Sequence, residues 1–268
     1  MRNVFAFDIE TVPDVAAGRR VLALSDGLSD EDVAKAMMHR RQQRSGTEFL
    51  NHHLHRVVAI SVAFRSGDQF RVWSLGDVSS GEGELLERFF AGVDRYSPTL
   101  VTWNGGGFDL PVLHYRALLH GVRAERYWDI GDDDSSFRWN NYLNRFHYRH
   151  TDLMDVIAGF QSRASAPLNE IALMLGLPGK MGMDGAQVWP AYLRGELEAI
   201  RNYCETDALN TYLIYLRWQQ LRGGLTEAQC ASECEVVKAA LMDSGVSHLT
   251  DFAAAWGGGF TPAVPSVH

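Results

Sequence analysis

The sequence predicts an α/β protein in which a mixed β-sheet carries packed helices and a helix-rich segment follows it. Three observations lead there. Apolar, β-rich runs stand close together between Asn3 and Leu75, strand and helix patterns then alternate, and helical periodicity dominates from about Met154 to Leu221. The first run, VFAFDI within Asn3 to Ile9, reads as a strand, as do HRVVAISVAFR from His55 to Arg65 and QFRVWSL from Gln69 to Leu75. Ser66-Gly67-Asp68 is the turn signal between the last two. An amphipathic stretch from Glu82 to Val93 reads as a helix and TLVTW, Thr99 to Trp103, as another strand. A helix from about Leu110 to His120 follows the loop Gly105-Gly106-Gly107. A long helix is expected from about Gly195 to Leu221, and one face of it, Leu209, Tyr212, Leu213 and Leu216, calls for protein on that side too, with the C-terminal extension as the candidate.

Two stretches look additional to this core. Residues from about Asp14 to Leu50 form a polar insertion with a helix capped by Ser29; Asp30, Glu31 and Asp32 follow the cap and HRRQQR ends it, a polarity that suits the helix dipole. After Gly223-Gly224 come a helix from Thr226 to Met242 and the tail GGGFTPAVPSVH, where disorder is expected. The expected division is a domain over residues 1–222, with the insertion at about 14–50, and a helical extension over 223–268.

A chain of 268 residues with 46% hydrophobic residues has the size and composition of a large globular domain or a core with an appendage. The three cysteines, Cys204, Cys230 and Cys234, are an odd number, which argues against a disulfide framework and leads to the expectation of a reducing, cytoplasmic setting. MRNVFAFDIE is too short and too interrupted by Asp8 for a membrane span or a signal peptide, so no membrane partner is expected. The net charge of −8 argues, taken alone, against a nucleic-acid partner. Carboxylates gathered to bind divalent cations would add the same charge for another reason, so the balance excludes little.

Asp8 and Glu10 lie two apart on the first strand and so emerge on one face of the sheet; the plain alternative is an edge strand with a solvated face. Asp109 follows Asn104, three glycines and Phe108 and precedes Leu110-Pro111 at a helix start, where capping alone would account for it. Tyr203 and Asp207 stand one turn apart on the long helix, and 100° spacing sets Asp207 inside the apolar stripe of Leu197, Ile200, Tyr203, Cys204, Thr211, Ile214, Tyr215 and Trp218. A carboxylate there needs either a basic partner or a metal, and spacing leaves both open.

Together these segments resemble the DEDD exonuclease superfamily, in its tyrosine-containing branch, whose motifs D-x-E, N-x-x-x-F-D and Y-x-x-x-D read here as FDIET (Phe7 to Thr11), NGGGFD (Asn104 to Asp109) and YCETD (Tyr203 to Asp207). The likeness is to the proofreading exonuclease domain of family B DNA polymerases and the stand-alone bacterial proteins related to it. It extends through HRVVAIS, HTDLMD (His150 to Asp155) and the run from Leu168 to Leu177-Pro178-Gly179-Lys180, and so spans most of Met1 to about Arg222.

The resemblance implies a ribonuclease H-like fold and metal-dependent 3′→5′ hydrolysis of single-stranded DNA or RNA ends, with DNA favoured. It implies that Asp8, Glu10, Asp109 and Asp207 hold two Mg²⁺ ions, for which Mn²⁺ can substitute, that Tyr203 orients the attacking water, and that Thr11, Asn104 and Phe108 lie beside the substrate. Core packing accounts for Phe108 equally well. A separate polymerase or repair partner would be needed for proofreading. The rivals are a catalytically silent nucleic-acid-binding module of the same fold and a glycoside hydrolase using Asp8 and Glu10 as acid and base.

RWNNYLNRFHYRH, Arg138 to His150, interleaves arginines with aromatics as a strand-tracking groove would, although a half-buried loop has the same composition. The histidines His52, His53 and His55 read as a polar turn, and Cys230 and Cys234 as small buried helix residues.

Overall fold

The first strand, β1 (Val4–Pro13), is buried along nearly its whole length because it serves two cores. Phe5, Phe7 and Ile9 enter one, and Val4 and Ala6 the other. By the two-residue period, Asp8 and Glu10 share the side of Val4 and Ala6. β1 is therefore a central strand, and the solvated edge that would have explained its acids does not exist.

The computed structural model describes residues 3–257 and 259–260. β2 (His55–Ser66) and β3 (Gln69–Ser74) form a hairpin antiparallel to β1, while β4 (Thr99–Thr102) and β5 (His150–Asp152) run parallel to it, in the order β3-β2-β1-β4-β5. The α-helices are α1 (Val15–Leu22), α2 (Asp30–Ser45), α3 (Glu82–Tyr96), α4 (Asp109–His120), α5 (Glu125–Trp128), α6 (Leu153–Ile157), α7 (Leu168–Met174), α8 (Val188–Leu193), α9 (Leu197–Leu221), α10 (Glu227–Asp243) and α11 (Ser247–Ala255). This is a mixed α/β architecture of ribonuclease H type with a helical C-terminal extension. No helix among the described residues is long and apolar enough to cross a membrane.

The phenylalanine side of β1 packs against Leu85, Leu86, Phe89 and Phe90 of α3 and Val112 and Leu113 of α4. The opposite side packs against α9. Tyr212, Leu213 and Leu216 of α9 then share a core with Cys230, Cys234, Val237 and Leu241 of α10 and Leu249 and Phe252 of α11, so α9 lies between the sheet and the extension, as its second apolar face requires.

The root of the insertion is fixed by charge. Arg116 of α4 is buried between two carboxylates, donating to Asp14 Oδ2 at 2.5 Å and to Glu82 Oε2 and Oε1 at 2.5 and 2.7 Å. Glu82 Oε1 also accepts from the Val57 N–H at 2.7 Å. One guanidinium thus joins the end of β1, the start of α3 and the middle of α4, with β2 held through Glu82. Inside the insertion, Ser29 caps α2 as expected, its hydroxyl oxygen accepting from the Asp32 N–H at 3.1 Å.

Sequence periodicity did not foresee α1, β5 or α11. β5 is three residues long and polar, and its extended form comes from pairing with β4. The long helix starts at Leu197, since Gly195 has a positive φ of 77°. Most of the tail, residues 261–268, lies outside the described residues. The segment from Arg138 to Arg149 is irregular and leads into the start of β5, at the opposite end of the parallel strands from the loop that follows β4. Arg149 is half-buried, 3.6 Å from the Phe137 ring centroid, and donates to Asn140 O and Ser136 Oγ, whereas Arg138 is exposed and Arg145, also exposed, pairs with Asp155 at 2.8 Å. Tyr142 is buried and donates to Pro98 O at 2.6 Å. Trp139, Phe146 and Tyr148 of the same segment stay exposed.

Candidate active site

Three elements bring the sequence-predicted acids together. Asp8 and Glu10 come from β1, Asp109 from the first turn of α4, and Tyr203 and Asp207 from the first half of α9. The β1–β2 register shifts immediately after Glu10, which adds local twist where the chain leaves the site. Asp109 does not cap α4. The cap position is Phe108, with no side-chain cap bond, and the nearby backbone N–H groups of Asp109 and Ile9 favour the ionised form of the Asp109 carboxyl against its burial.

The loop before Asp109 explains its glycines. A Cβ on Gly105 would meet Thr102 Oγ1 at 2.3 Å, and one on Gly107 would meet Asn104 Oδ1 at 2.4 Å. Asn104 is itself left-handed, at φ 64°. The loop is held by Asp152 at the end of β5, whose two oxygens accept from the Asn104 N–H at 2.9 Å and the Gly106 N–H at 2.8 Å. Asp152→Ala would orphan both donors, so we expect a stability loss of about 1–3 kcal/mol. A urea titration reads it, and Asp152→Asn, which keeps one acceptor, should fall between.

The carboxylates are buried and oppose one another. Burial first, then the charges of Asp109, Glu10 and Asp207, push the Asp8 carboxyl well above its ordinary range. Burial, Asp207 and Asp109 do the same to Glu10. Burial raises Asp109 to about 7 and Asp207 to about 6. Lys180 counters in part, holding Glu10 and Asp207 down, with its Nζ 5.7 Å from the centroid of the Tyr203 ring. Burial and the neighbouring acids drive the Tyr203 phenol far up, so it stays protonated and can donate but cannot serve as a base.

Donor chemistry fits a divalent cation. One oxygen of Asp207, Oδ1, is buried without a hydrogen-bond partner, and the neighbouring Tyr203 phenol favours the ionised form of this carboxyl. Ligand atoms of Asp8, Glu10 and Cys204 all lie within 4.8 Å of one another. Four buried acids, only two of them eased by Lys180, with an unused oxygen, are costly without cations and well matched to hard ones. Cys204 was not foreseen here: its thiol donates to Asp8 O at 3.3 Å, and burial raises its pKa, so it sits as a neutral neighbour of the acids.

The residues expected beside the substrate are placed less simply. Burial lowers His55 to about 4, so its ring is neutral; Nε2–H donates to Leu50 O at 3.2 Å and Nδ1 accepts from the Thr11 hydroxyl at 2.9 Å. The Thr11 proton is therefore engaged inside the protein. Asn104 stands at the loop corner. Phe108 is half-buried, with the rings of His55, Phe49 and His52 at 5.1, 5.2 and 5.9 Å from its own. Lys180, Asp152 and Cys204 escaped sequence reasoning as site residues because a polar residue in a loop or in a three-residue strand has no period, and a cysteine in an apolar stripe reads as packing.

A sheet of ribonuclease H type with buried acids brought in from β1, α4 and α9 is a nuclease-like arrangement with residues that could hold a metal. The chain belongs to the family described as "Predicted 3'-5' exonuclease related to the exonuclease domain of PolB", whose model matches residues 47–256. The match includes Asp109, Tyr203 and Asp207 and begins after Asp8 and Glu10. The chain is 26% identical over 161 residues to the DNA polymerase of Archaeoglobus fulgidus, covering 59% of this chain and 19% of that protein. It is 25% identical over 142 residues to a DNA polymerase epsilon catalytic subunit of Arabidopsis thaliana, and 25% over 145 residues to one of Saccharomyces cerevisiae. In both cases this is 51% of the chain and 6% of the polymerase, so the chain spans a small part of the length of these relatives.

Proposed function

We propose that this protein removes nucleotides one at a time from the 3′ end of single-stranded nucleic acid, DNA in preference to RNA, releasing nucleoside 5′-monophosphates. The observation that carries the reading is the convergence of Asp8, Glu10, Asp109 and Asp207 with one buried Asp207 oxygen left without a partner. In this reading the four carboxylates hold two Mg²⁺ ions, or Mn²⁺ in their place. Bound there, the ions would lower the pKa of water, neutralise charge developing on phosphorus and stabilise the departing 3′ oxygen. Tyr203, kept protonated, orients the attacking water together with Glu10. Asn104 and Phe108 flank the terminal nucleotide, and Thr11 shapes that pocket through His55. Residues 1–222 form the catalytic unit, and α10 and α11 of the 223–268 extension brace α9 from behind. Free, buried thiols at Cys204, Cys230 and Cys234 suit a reducing compartment, and we place the reaction in the cytoplasm. A polymerase or repair enzyme that leaves a frayed 3′ end is the partner such an activity would serve.

The decisive experiment is a time course on 5′-labelled single-stranded DNA and RNA with Mg²⁺, Mn²⁺ or chelator. A ladder shortening from the 3′ end by single nucleotides, abolished by chelation, is the expected result; internal cuts or chelator-resistant cleavage would overturn the reading.

Metal binding should also leave a pH signature. The folded pKa values of Asp109 and Asp207, about 7 and about 6, lie above the ordinary 3.8, so between pH 4 and 7 the folded state holds protons that the unfolded chain has released. Stability of the metal-free protein therefore falls as pH rises through that window. Cations bind the ionised carboxylates, so Mg²⁺ should raise Tm more at pH 8 than at pH 5. At a concentration 100 times Kd the gain is about 2.7 kcal/mol. Equal shifts at both pH values would separate the acids from the metal.

A further inference from the structure

Beyond the carboxylates, the strongest unexplained surface is the end of the insertion. From His39 to His53 the chain carries Arg40, Arg41 and Arg44 against the single acid Glu48, a local excess of positive charge in a chain of net −8. Arg40 and Arg44 are exposed, and neither forms an ion pair among the described residues, whereas Lys35 and Arg19 nearer the acidic start of α2 do. Immediately after them Phe49 is 56% exposed while Leu50 fills the small core of the insertion, so packing accounts for one of these neighbours and leaves the other open.

This surface is fastened to the candidate site. Arg41 Nε donates to Phe49 O at 3.0 Å, tying the basic end of α2 to the aromatic. The Phe49 ring lies 5.2 Å from that of Phe108, the residue before Asp109, and His52 Nε2 donates to Gly107 O at 2.9 Å. An exposed aromatic against the residue before Asp109, tied to a helix end that carries arginines unpaired among the described residues, offers what stacking on a base and meeting a phosphate backbone require.

We propose that the last turns of α2, Phe49 and His52 form a rim that holds the single strand upstream of its 3′-terminal nucleotide, with Phe49 stacking on a base and Arg40 and Arg44 meeting phosphates. The inference rests on the exonuclease reading for its substrate and gives the insertion its function: it lengthens the bound strand.

The test uses the full chain carrying Phe49→Ala, Phe49→Leu or the pair Arg40→Ala and Arg44→Ala. Arg41 is left in place because it holds Phe49. KM and kcat are measured with Mg²⁺ on a trinucleotide and on a strand of roughly 20 nucleotides, one shorter and one longer than a typical strand-binding groove. Phe49→Ala should raise KM on the long strand about tenfold more than on the trinucleotide. Phe49→Leu keeps the contact with Phe108 and should do the same, which guards against loss of folding. The double arginine variant should flatten the slope of log Kd against log salt by about 1.4, the value for two phosphates on a single strand. Equal KM changes on both lengths, or an unchanged salt slope, would overturn the rim. Fluorescence anisotropy on an Asp8→Asn background separates the two ideas. If wild type released no nucleotide but binding still fell with Phe49→Ala, the exonuclease reading would fail and the rim would stand. If wild type shortened 3′ ends while every rim variant bound and cut like it, the rim alone would fail.

Discussion

Asp8→Asn is expected to abolish nucleotide release and, in chelator at pH 8, to make the protein more stable. Asp8 faces the α9 side of the sheet with Glu10, Asp109 and Asp207 acting on it, and burial raises its pKa before any of them does. If Asp8 holds metal as proposed, its loss removes several kcal/mol of charge stabilisation, and at about 1.4 kcal/mol per tenfold this is a fall in kcat of about 10³ or more. The asparagine keeps the shape of the site and deletes one of four repelling charges, so metal-free stability should rise by about 1–3 kcal/mol. Both halves are needed, as nucleotide-release assays and thermal unfolding in chelator can show. An acid whose loss reduced activity and also destabilised the apo protein would be a structural partner, and the metal assignment would fall with it.

Arg116→Ala should produce the largest loss of stability in the molecule, about 3–5 kcal/mol, because it strands two buried carboxylates. The side chains of Arg116, Asp14 and Glu82 are 5%, 6% and 4% exposed. Burial alone would raise the Asp14 pKa, but the Ala17 N–H and Arg116 hold it below the ordinary range. A depressed carboxylate contributes stability above its unfolded pKa and loses it as pH falls through the folded one. The Arg116→Ala penalty should therefore be full at neutral pH and shrink in acid, which urea midpoints at pH 7 and pH 3 would reveal. Arg116→Lys keeps the charge but not the fork, and should recover only part of the loss.

Much of the fold could be read from the residues because long elements carry their own periodicity. β1, β2, β3, β4, α3, α4, α9 and α10 all stand where apolar spacing put them, within a few residues. β5 could not be read that way, since His-Thr-Asp becomes a strand through its neighbour and not through its side chains. At the site, alternation placed Asp8 and Glu10 on one face, and helical spacing placed Tyr203 and Asp207 one turn apart. What neither could supply was which alternative held: the edge strand was removed by β2 and β4 on either side of β1, and the capping account of Asp109 by Phe108 taking the cap position. Between Arg138 and Arg149 composition left two accounts open, because cation–aromatic pairs made within a loop, such as Arg149 over Phe137, and those offered to a ligand use the same residues. The acids and the tyrosine needed the resemblance to be recognised as a set, while Lys180 and Asp152 needed the structure.

The placement of α9 between the sheet and the extension has a consequence for local opening. Its residues from Tyr203 to Leu216 are buried without interruption, so their amides should exchange with solvent only through rare, near-global openings. Asn104, by contrast, sits in a glycine loop whose Gly106 and Gly107 are exposed. The acids thus ride on parts that open at different rates: Asp207 on the slowest, Asp109 at the edge of one of the faster. A ligand bridging them would bring the loop amides toward the exchange rate of the helix, and hydrogen exchange with and without Mg²⁺ would record the two halves of the site becoming one.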